Sequence, residues 1–237
     1  MNPSGEAGPQ QEFDPLIVLQ EGLGFVPNLV RAQSAVPRLM AAHAKLEEAV
    51  TFRDGALSRI RKEQILLSIA ADRRDVHCAA LDSGVLRSLG VPQTVIDGLL
   101  NDYERASLSA ADQALLEFCL RLSRNATSVR NGHVEALRAV GFCDEAILEA
   151  VVVTALAVYR CTLSVALGPE PDFTPPDFRE RKGAGASATW HGALPSDGQA
   201  KAREPGPYLP APYLNPSAFA PFALAQKSHG FIPNFFR

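Results

Sequence analysis

AILEAVVVTALAVYRCTLSVAL, residues 146–167, is the stretch that decides the fold. Val151, Val152 and Val153 form a β-branched run, which alone would suit a strand. The surrounding alanines and leucines, however, recur at three- and four-residue spacing over about 20 residues, and no turn dipeptide bounds the run. The spacing therefore predicts one buried helix. The same period recurs upstream at 108–122, 78–89, 57–71 and 39–50. Start signals sit at the right places: Ser58 before one run, Asp75 before the run containing Cys78, and Ser109 with Asp112 before another. No alternating strand pattern stands beside them, and the fold class read from the sequence is all-α.

Composition bounds what this helical chain can do. Among 237 residues, 23 Lys and Arg against 26 Asp and Glu give a net charge of −3. That balance argues against phosphate-backbone or anionic-membrane binding, which needs clustered basic charge. Four cysteines, Cys78, Cys119, Cys143 and Cys161, are too sparse for a disulfide scaffold and show no C-x-x-C pair or zinc spacing. The N-terminus has neither a basic region nor an apolar region of a secretory signal. The longest uninterrupted apolar stretch, Ala150 to Tyr159, falls short of a membrane span. A cytoplasmic location is the default expectation, with no cofactor.

Ten of the 18 prolines fall between Pro169 and Pro216. Proline removes helix donors and glycine raises the entropy cost of ordering, so 173–219 reads as a Pro/Gly-rich linker. The alternative is a long arm lying on a neighbouring domain or subunit, suggested by Phe173, Phe178, Trp190 and Tyr208. Gly24-Phe25-Val26-Pro27-Asn28-Leu29-Val30-Arg31 also returns as Gly230-Phe231-Ile232-Pro233-Asn234-Phe235-Phe236-Arg237, with Pro15 and Gln20 matched by Pro221 and Gln226. The expected organisation is a disordered 1–13, a helical domain over 14–172, the linker, and at 220–237 the start of a truncated second copy.

The chemistry-bearing stretch runs from Leu57 to Asp82. It contains Glu63, then Asp75 twelve positions on, then His77 and Cys78, then Asp82. This resembles the carboxymuconolactone decarboxylase family, in its alkylhydroperoxidase D-like, peroxidase-related branch. That family's signature is Glu, eleven residues, Cys, two residues, Cys, three residues, His. Residues 24–29, 114–118, 134–142, 144–147 and 166–168 resemble further blocks of the same branch. In this chain Asp75 stands in place of the first cysteine and Asp82 in place of the histidine. Val158, Cys161 and Thr162 replace the family's late Asn-x-x-Asn-Arg.

The resemblance implies an alkylhydroperoxidase D-like helical domain with Cys78 as redox centre and Glu63 and His77 as proton-handling groups. It also implies a small-molecule peroxide as substrate, an external thiol as reductant, and assembly as a homo-oligomer, trimer or hexamer. With Asp75 as helix cap, Cys78 falls in the first turn, where free amides favour a thiolate. Two added aspartates oppose that effect, and Arg73 and Arg74 are the nearest cations to offset them. With an aspartate at 75, no local disulfide is expected, and an oxidised Cys78 needs an outside thiol. Asp82, His43 and His133 read as surface residues, and Cys119, Cys143 and Cys161 as core packing or helix starts. A metal held by Glu63, Asp75, His77 and Asp82 is a weaker reading, and none is expected. Two alternatives stay open: a catalytically silent structural or regulatory domain, and a lyase acting on a lactone acid.

Overall fold

In the computed structural model, residues 15–178 are described. They form nine α-helices and no strand: α1 (Pro15–Leu23), α2 (Asn28–Arg31), α3 (Pro37–Thr51), α4 (Arg59–Asp72), α5 (Val76–Ser88), α6 (Gln93–Asn101), α7 (Ala110–Arg124), α8 (Asn131–Ala139) and α9 (Asp144–Leu167). The all-α reading holds. Each expected cap is made: the Ser58, Asp75 and Ser109 side chains accept from the amides of Arg61, Cys78 and Asp112.

Helix α4 lies at the centre. Its residues from Lys62 to Ala71 are all buried, so it needs neighbours on every side, and α5, α6, α7 and α9 supply them. Ile65, Leu66, Leu67 and Ile69 form the middle of that core. A smaller apolar cluster of Leu19, Val30 and Ala44 joins α1, α2 and α3, with Phe52 packed against it. Gly22 makes this packing possible, since a Cβ there would stand 2.2 Å from the Phe52 ring.

Helix α9 packs on α4 and α7 through Ala146, Ile147, Ala150, Val153, Leu156 and Ala157. By length and composition alone it is apolar enough to cross a membrane, although no uninterrupted run in the sequence reaches that length. One of its charged residues, Glu149, ties it to the start of α4. Glu149 accepts from the amides of Ala56 and Leu57 at 3.1 and 2.9 Å and pairs with the buried Lys62 at 3.1 Å, which fixes the entry into α4. The opposite face of α9 carries exposed Leu148, Val152 and Tyr159.

Gly168, at φ +57°, ends α9 in the left-handed conformation that favours glycine. The chain then turns back over the start of α5. Asn28 donates from its amide to Asp172 Oδ1 (2.9 Å) and from its side chain to Glu170 O (3.1 Å). The Phe173 ring meets Phe25 edge-on at 5.4 Å, and a Cβ on Gly84 would stand 2.5 Å from the same ring. The Arg74 guanidinium lies over the Phe178 ring at 5.6 Å. The proline-rich stretch thus opens with residues that touch the helical unit. The rest of the expected linker, the expected repeat start at 220–237 and the expected disordered 1–13 lie outside the described residues.

Candidate functional site

Two residues, Arg73 and Arg74, separate α4 from the Asp75 cap of α5, and Arg74 takes φ +54°. A left-handed residue other than glycine costs about 1 kcal/mol, so the turn is held by its surroundings. It sets Asp75 at the end of α5, where Oδ1 accepts from the Cys78 amide at 2.8 Å and from the Ser164 hydroxyl at 3.1 Å. The other carboxylate oxygen, Oδ2, is buried and has no partner. Cys78 is 1 % exposed.

A second sulfur lies beside the first. Cys161 of α9, an Asp75 carboxylate oxygen and the Cys78 sulfur all fall within 4.8 Å of one another. Cys161 does pack in the core, as its apolar surroundings suggest, but it packs against Cys78. Position 75 alone gave no local disulfide to expect; the structure sets a second thiol, from a residue 83 positions beyond Cys78, beside it, and both cysteines are free. Hydrogen bonding with Cys161 and burial together push the Cys78 thiol well above its ordinary range, and Arg160 works against them.

Arg160 is the cation of the site, not Arg73 or Arg74. Those two engage Ser123 O and Phe178. Arg160 is 3 % exposed and donates to Asp82 Oδ1 at 2.6 Å, with Glu47 Oε1 at 3.5 Å. Asp82, expected at the surface, is 1 % exposed, and His43, also expected at the surface, is 2 % exposed. Asp82 faces its partner on another helix, and the His43 ring is enclosed by Gln33, by Glu47 one turn on in its own helix and by the Tyr159 ring of α9 at 5.0 Å, which residue type alone does not reveal. His43 Nδ1 meets the Gln33 side-chain amide at 2.7 Å, which leaves Nε2 to donate to Glu47 Oε1 at 3.3 Å. Thr51 donates to the Glu47 backbone carbonyl at 2.8 Å. His133 is half-buried, and its Nδ1 accepts from the Arg130 amide at the start of α8.

Three buried carboxylates share this one guanidinium, and their titrations separate accordingly. Burial drives Glu63 up to about 8, with Asp82 and Glu47 adding to the rise and Arg160 opposing it. Burial likewise raises Asp82, to about 6, against the pull of Arg160. Glu47 goes the other way: burial would raise it, but Arg160, His43 and Thr51 together hold it below the usual carboxylate range. Glu63 is thus an acid at neutral pH, with Arg59 Nε 4.0 Å away. Glu63, Glu47, Asp82, His43 and Arg160 line a cavity with room for about one water molecule. Leu81, Asp82 and Val85 of α5 form one wall of it, one turn beyond Cys78, which does not itself line the cavity.

His77 occupies a different face. Its Nδ1 lies 3.1 Å from Glu170 O, and its Nε2 lies 3.7 Å from Asp172 Oδ2. Burial lowers the imidazole's proton affinity and raises that of Asp172. Neither Nε2 nor Asp172 Oδ2 has a hydrogen-bond partner. The four residues weighed for a metal are therefore divided. Glu63 and Asp82 belong to the Arg160 cluster, Asp75 to the sulfurs, and His77 to the returning chain. Among the described residues, the donors that converge are Asp75, Cys78 and Cys161.

No family model matches the chain, and no curated protein matches it. Solved structures do. An uncharacterized peroxidase-related protein from Ralstonia eutropha JMP134, with an alkylhydroperoxidase AhpD core, is 25% identical; the match covers 66% of this chain and 83% of that one, with a TM-score of 0.62. An uncharacterized peroxidase-related protein from Silicibacter sp. TM1040 is 22% identical over 66% of this chain and 82% of that one, also at 0.62. The debrominase Bmp8, as a cysteine-to-alanine form in complex with 2,3,4-tribromopyrrole, is 17% identical over 66% and 82%, at 0.58. The helical domain therefore has an alkylhydroperoxidase D-like fold, and that fold also carries a debrominase.

Proposed function

We propose that the chain is an alkylhydroperoxidase-like thiol oxidoreductase that reduces a small peroxide through Cys78. The observation that carries this reading is the placement of Cys78. It sits in the amide-rich first turn of α5, within the field of the buried Arg160, with an acid, Glu63, in the neighbouring cavity. The peroxidase-related neighbours in the same fold support it. In the first step the Cys78 sulfur, deprotonated, attacks one peroxide oxygen and the O–O bond breaks. Cys78 becomes a sulfenic acid, and the departing alkoxide or hydroxide takes a proton from Glu63. Two external thiol equivalents return the enzyme to its reduced state: the first forms a mixed disulfide and releases water, and the second displaces it by exchange. His77 holds the segment 170–172 over the start of α5 and so keeps the sulfur away from bulk water.

The raised thiol makes this a slow enzyme, since only the thiolate attacks. Peroxide consumption measured with a dithiol donor is expected to fall at least ~100-fold in Cys78→Ser, the scale of losing a nucleophile. Cys143→Ser, which removes an exposed thiol at the start of α9, leaves it unchanged. The burial of Cys78 favours a second reading, a silent structural or regulatory domain of the same fold. Wild-type protein that consumes no peroxide with any thiol donor decides for that reading. The third, lactone-acid lyase reading would require turnover that survives Cys78→Ala.

Self-association is part of the proposal. Leu148, Val152 and Tyr159 present an apolar stripe along the outer face of α9, and such a stripe suits a second copy of the chain. Light scattering of the full chain is expected to give a trimer or hexamer; a monomer at tens of micromolar removes this part.

A further inference from the structure

We infer that Cys161 is the resolving thiol of Cys78, so that oxidation closes a disulfide between α5 and α9 with Asp75 as the proton carrier. This rests on the peroxidase reading of Cys78. The signature that the sequence resembles would place a second cysteine at 75, and here an aspartate stands there. The structure supplies a sulfur from another helix at the same spot: Cys161 lies within 4.8 Å of both the Cys78 sulfur and the Asp75 carboxylate. A disulfide needs the sulfurs at about 2.05 Å, so closing it requires a rotamer change at one or both cysteines.

The carboxylate is poised for the proton. Asp75 is buried, its Oδ1 is committed to the Cys78 amide and Ser164, and its Oδ2 is unpartnered. An orphaned carboxylate oxygen in a buried site is costly unless it has a use. In the resolving step the Cys161 thiol gives its proton to Asp75, and the thiolate attacks the Cys78 sulfenic sulfur. The S–O bond breaks, and the leaving hydroxide takes that proton as water. Cys78–SOH and Cys161–SH thus become one disulfide and one water, and an external dithiol later reduces the bond by exchange. The remaining cysteines do not compete. Cys119 is buried against Ala150 O at 3.9 Å, with burial pushing its thiol up to about 12, and Cys143 is exposed.

The test uses the full chain carrying Cys143→Ser, in which four cysteines less one leave three thiols. One equivalent of hydrogen peroxide is added, and thiols are counted in denaturant. The count is expected to fall from three to one, with the Cys78 and Cys161 peptides joined and a mass loss of about 2 Da. In Cys161→Ser and Cys161→Ala, checked for native circular dichroism, Cys78 stops as a sulfenic acid that dimedone traps. Turnover with a dithiol then falls about tenfold, as expected when exchange replaces a neighbouring thiol. Peroxide consumption with a persistent Cys78 sulfenic acid in the Cys143→Ser protein overturns the disulfide and leaves the peroxidase reading standing. Unchanged turnover in both Cys161 variants does the same. No consumption, with three thiols retained, overturns both. Stoichiometric zinc in the purified protein overturns the disulfide in favour of a metal at the same three donors.

Discussion

Arg160→Met is expected to lower the unfolding free energy by about 3–5 kcal/mol at pH 8, the scale for removing one partner of a buried ion pair. The guanidinium is enclosed, and so are its partners: Asp82 at 2.6 Å and Glu47 at 3.5 Å are both buried. Methionine fills a similar volume, so the loss is electrostatic and not a cavity effect. Without the cation, Asp82 and Glu47 escape the buried charge by taking up protons. Their folded-state proton affinities rise, and a carboxylate raised in this way stabilises the fold at low pH and loses that contribution as pH rises. The deficit should therefore shrink by half or more at pH 5. Urea unfolding of both proteins at pH 5 and pH 8 checks this. A deficit under about 1 kcal/mol at pH 8, or one that is equal at both pH values, would show that Arg160 is not the counter-charge the geometry makes it. Asp82→Asn in the Arg160→Met background should restore part of the loss, since the pair are in contact and their effects do not add.

Glu63 produces the second large effect, and its sign is opposite to that of an ordinary paired carboxylate. Its proton is held up to about pH 8 in the fold, against an ordinary value of 4.5. The folded state therefore binds more protons than the unfolded chain across that interval, and stability falls as pH rises through it. Asp82, raised from 3.8 to about 6, contributes in the same direction but at lower pH. His77, lowered from 6.5 by burial, contributes in the other direction and only below pH 6.5. Glu63 dominates the interval from pH 6.5 to 8, with the raised Asp172 acting in the same direction, and wild-type stability should drop there by about 1.5 kcal/mol, from a limit of about 1.4 kcal/mol per pH unit. Glu63→Gln keeps the size and the neutral form, so it should flatten the slope and be the more stable protein at pH 8. Wild type and variant with parallel stability-against-pH curves would refute the assignment. Peroxide turnover should fall in the same variant, because glutamine has no proton to give the leaving group.

The helices were legible where periodicity ran long enough to show. Residues 146–167 carry their pattern through some six turns, and α9 follows it to within two residues at its start. Ser58, Asp75 and Ser109 were readable because a cap is a local event, settled within three residues of chain. Helices α6 and α8, at nine residues each, offer fewer than three turns of pattern and stand out poorly on that ground. The site was legible only in part for a related reason. Glu63, Asp75, Cys78 and Asp82 could be found by their spacing along one stretch. Nothing near Asp82 announces that a cation 78 positions away will face it, and nothing near His43 announces the Tyr159 ring 116 positions away that meets it edge-on. The sequence does carry one signal of this cluster. Arg160 is the single charged residue between Ala150 and Leu167, and a lone charge in so apolar a helix is seldom there without a buried partner.

Arg160 and Cys161 are consecutive residues of one rigid helix, which makes the ion-pair cluster and the thiol pair thermodynamically linked. Any shift of α9 that draws the Cys161 sulfur toward Cys78 also moves the guanidinium against Asp82 and Glu47. Linkage is reciprocal: the free energy by which closing the sulfurs perturbs the carboxylate protons equals that by which those protons perturb the sulfur equilibrium. If oxidation joins the pair as inferred above, its reduction potential and the protonation of the cluster are coupled through α9. On that proposal, the pH around the protein would reach the sulfur chemistry through the backbone of α9.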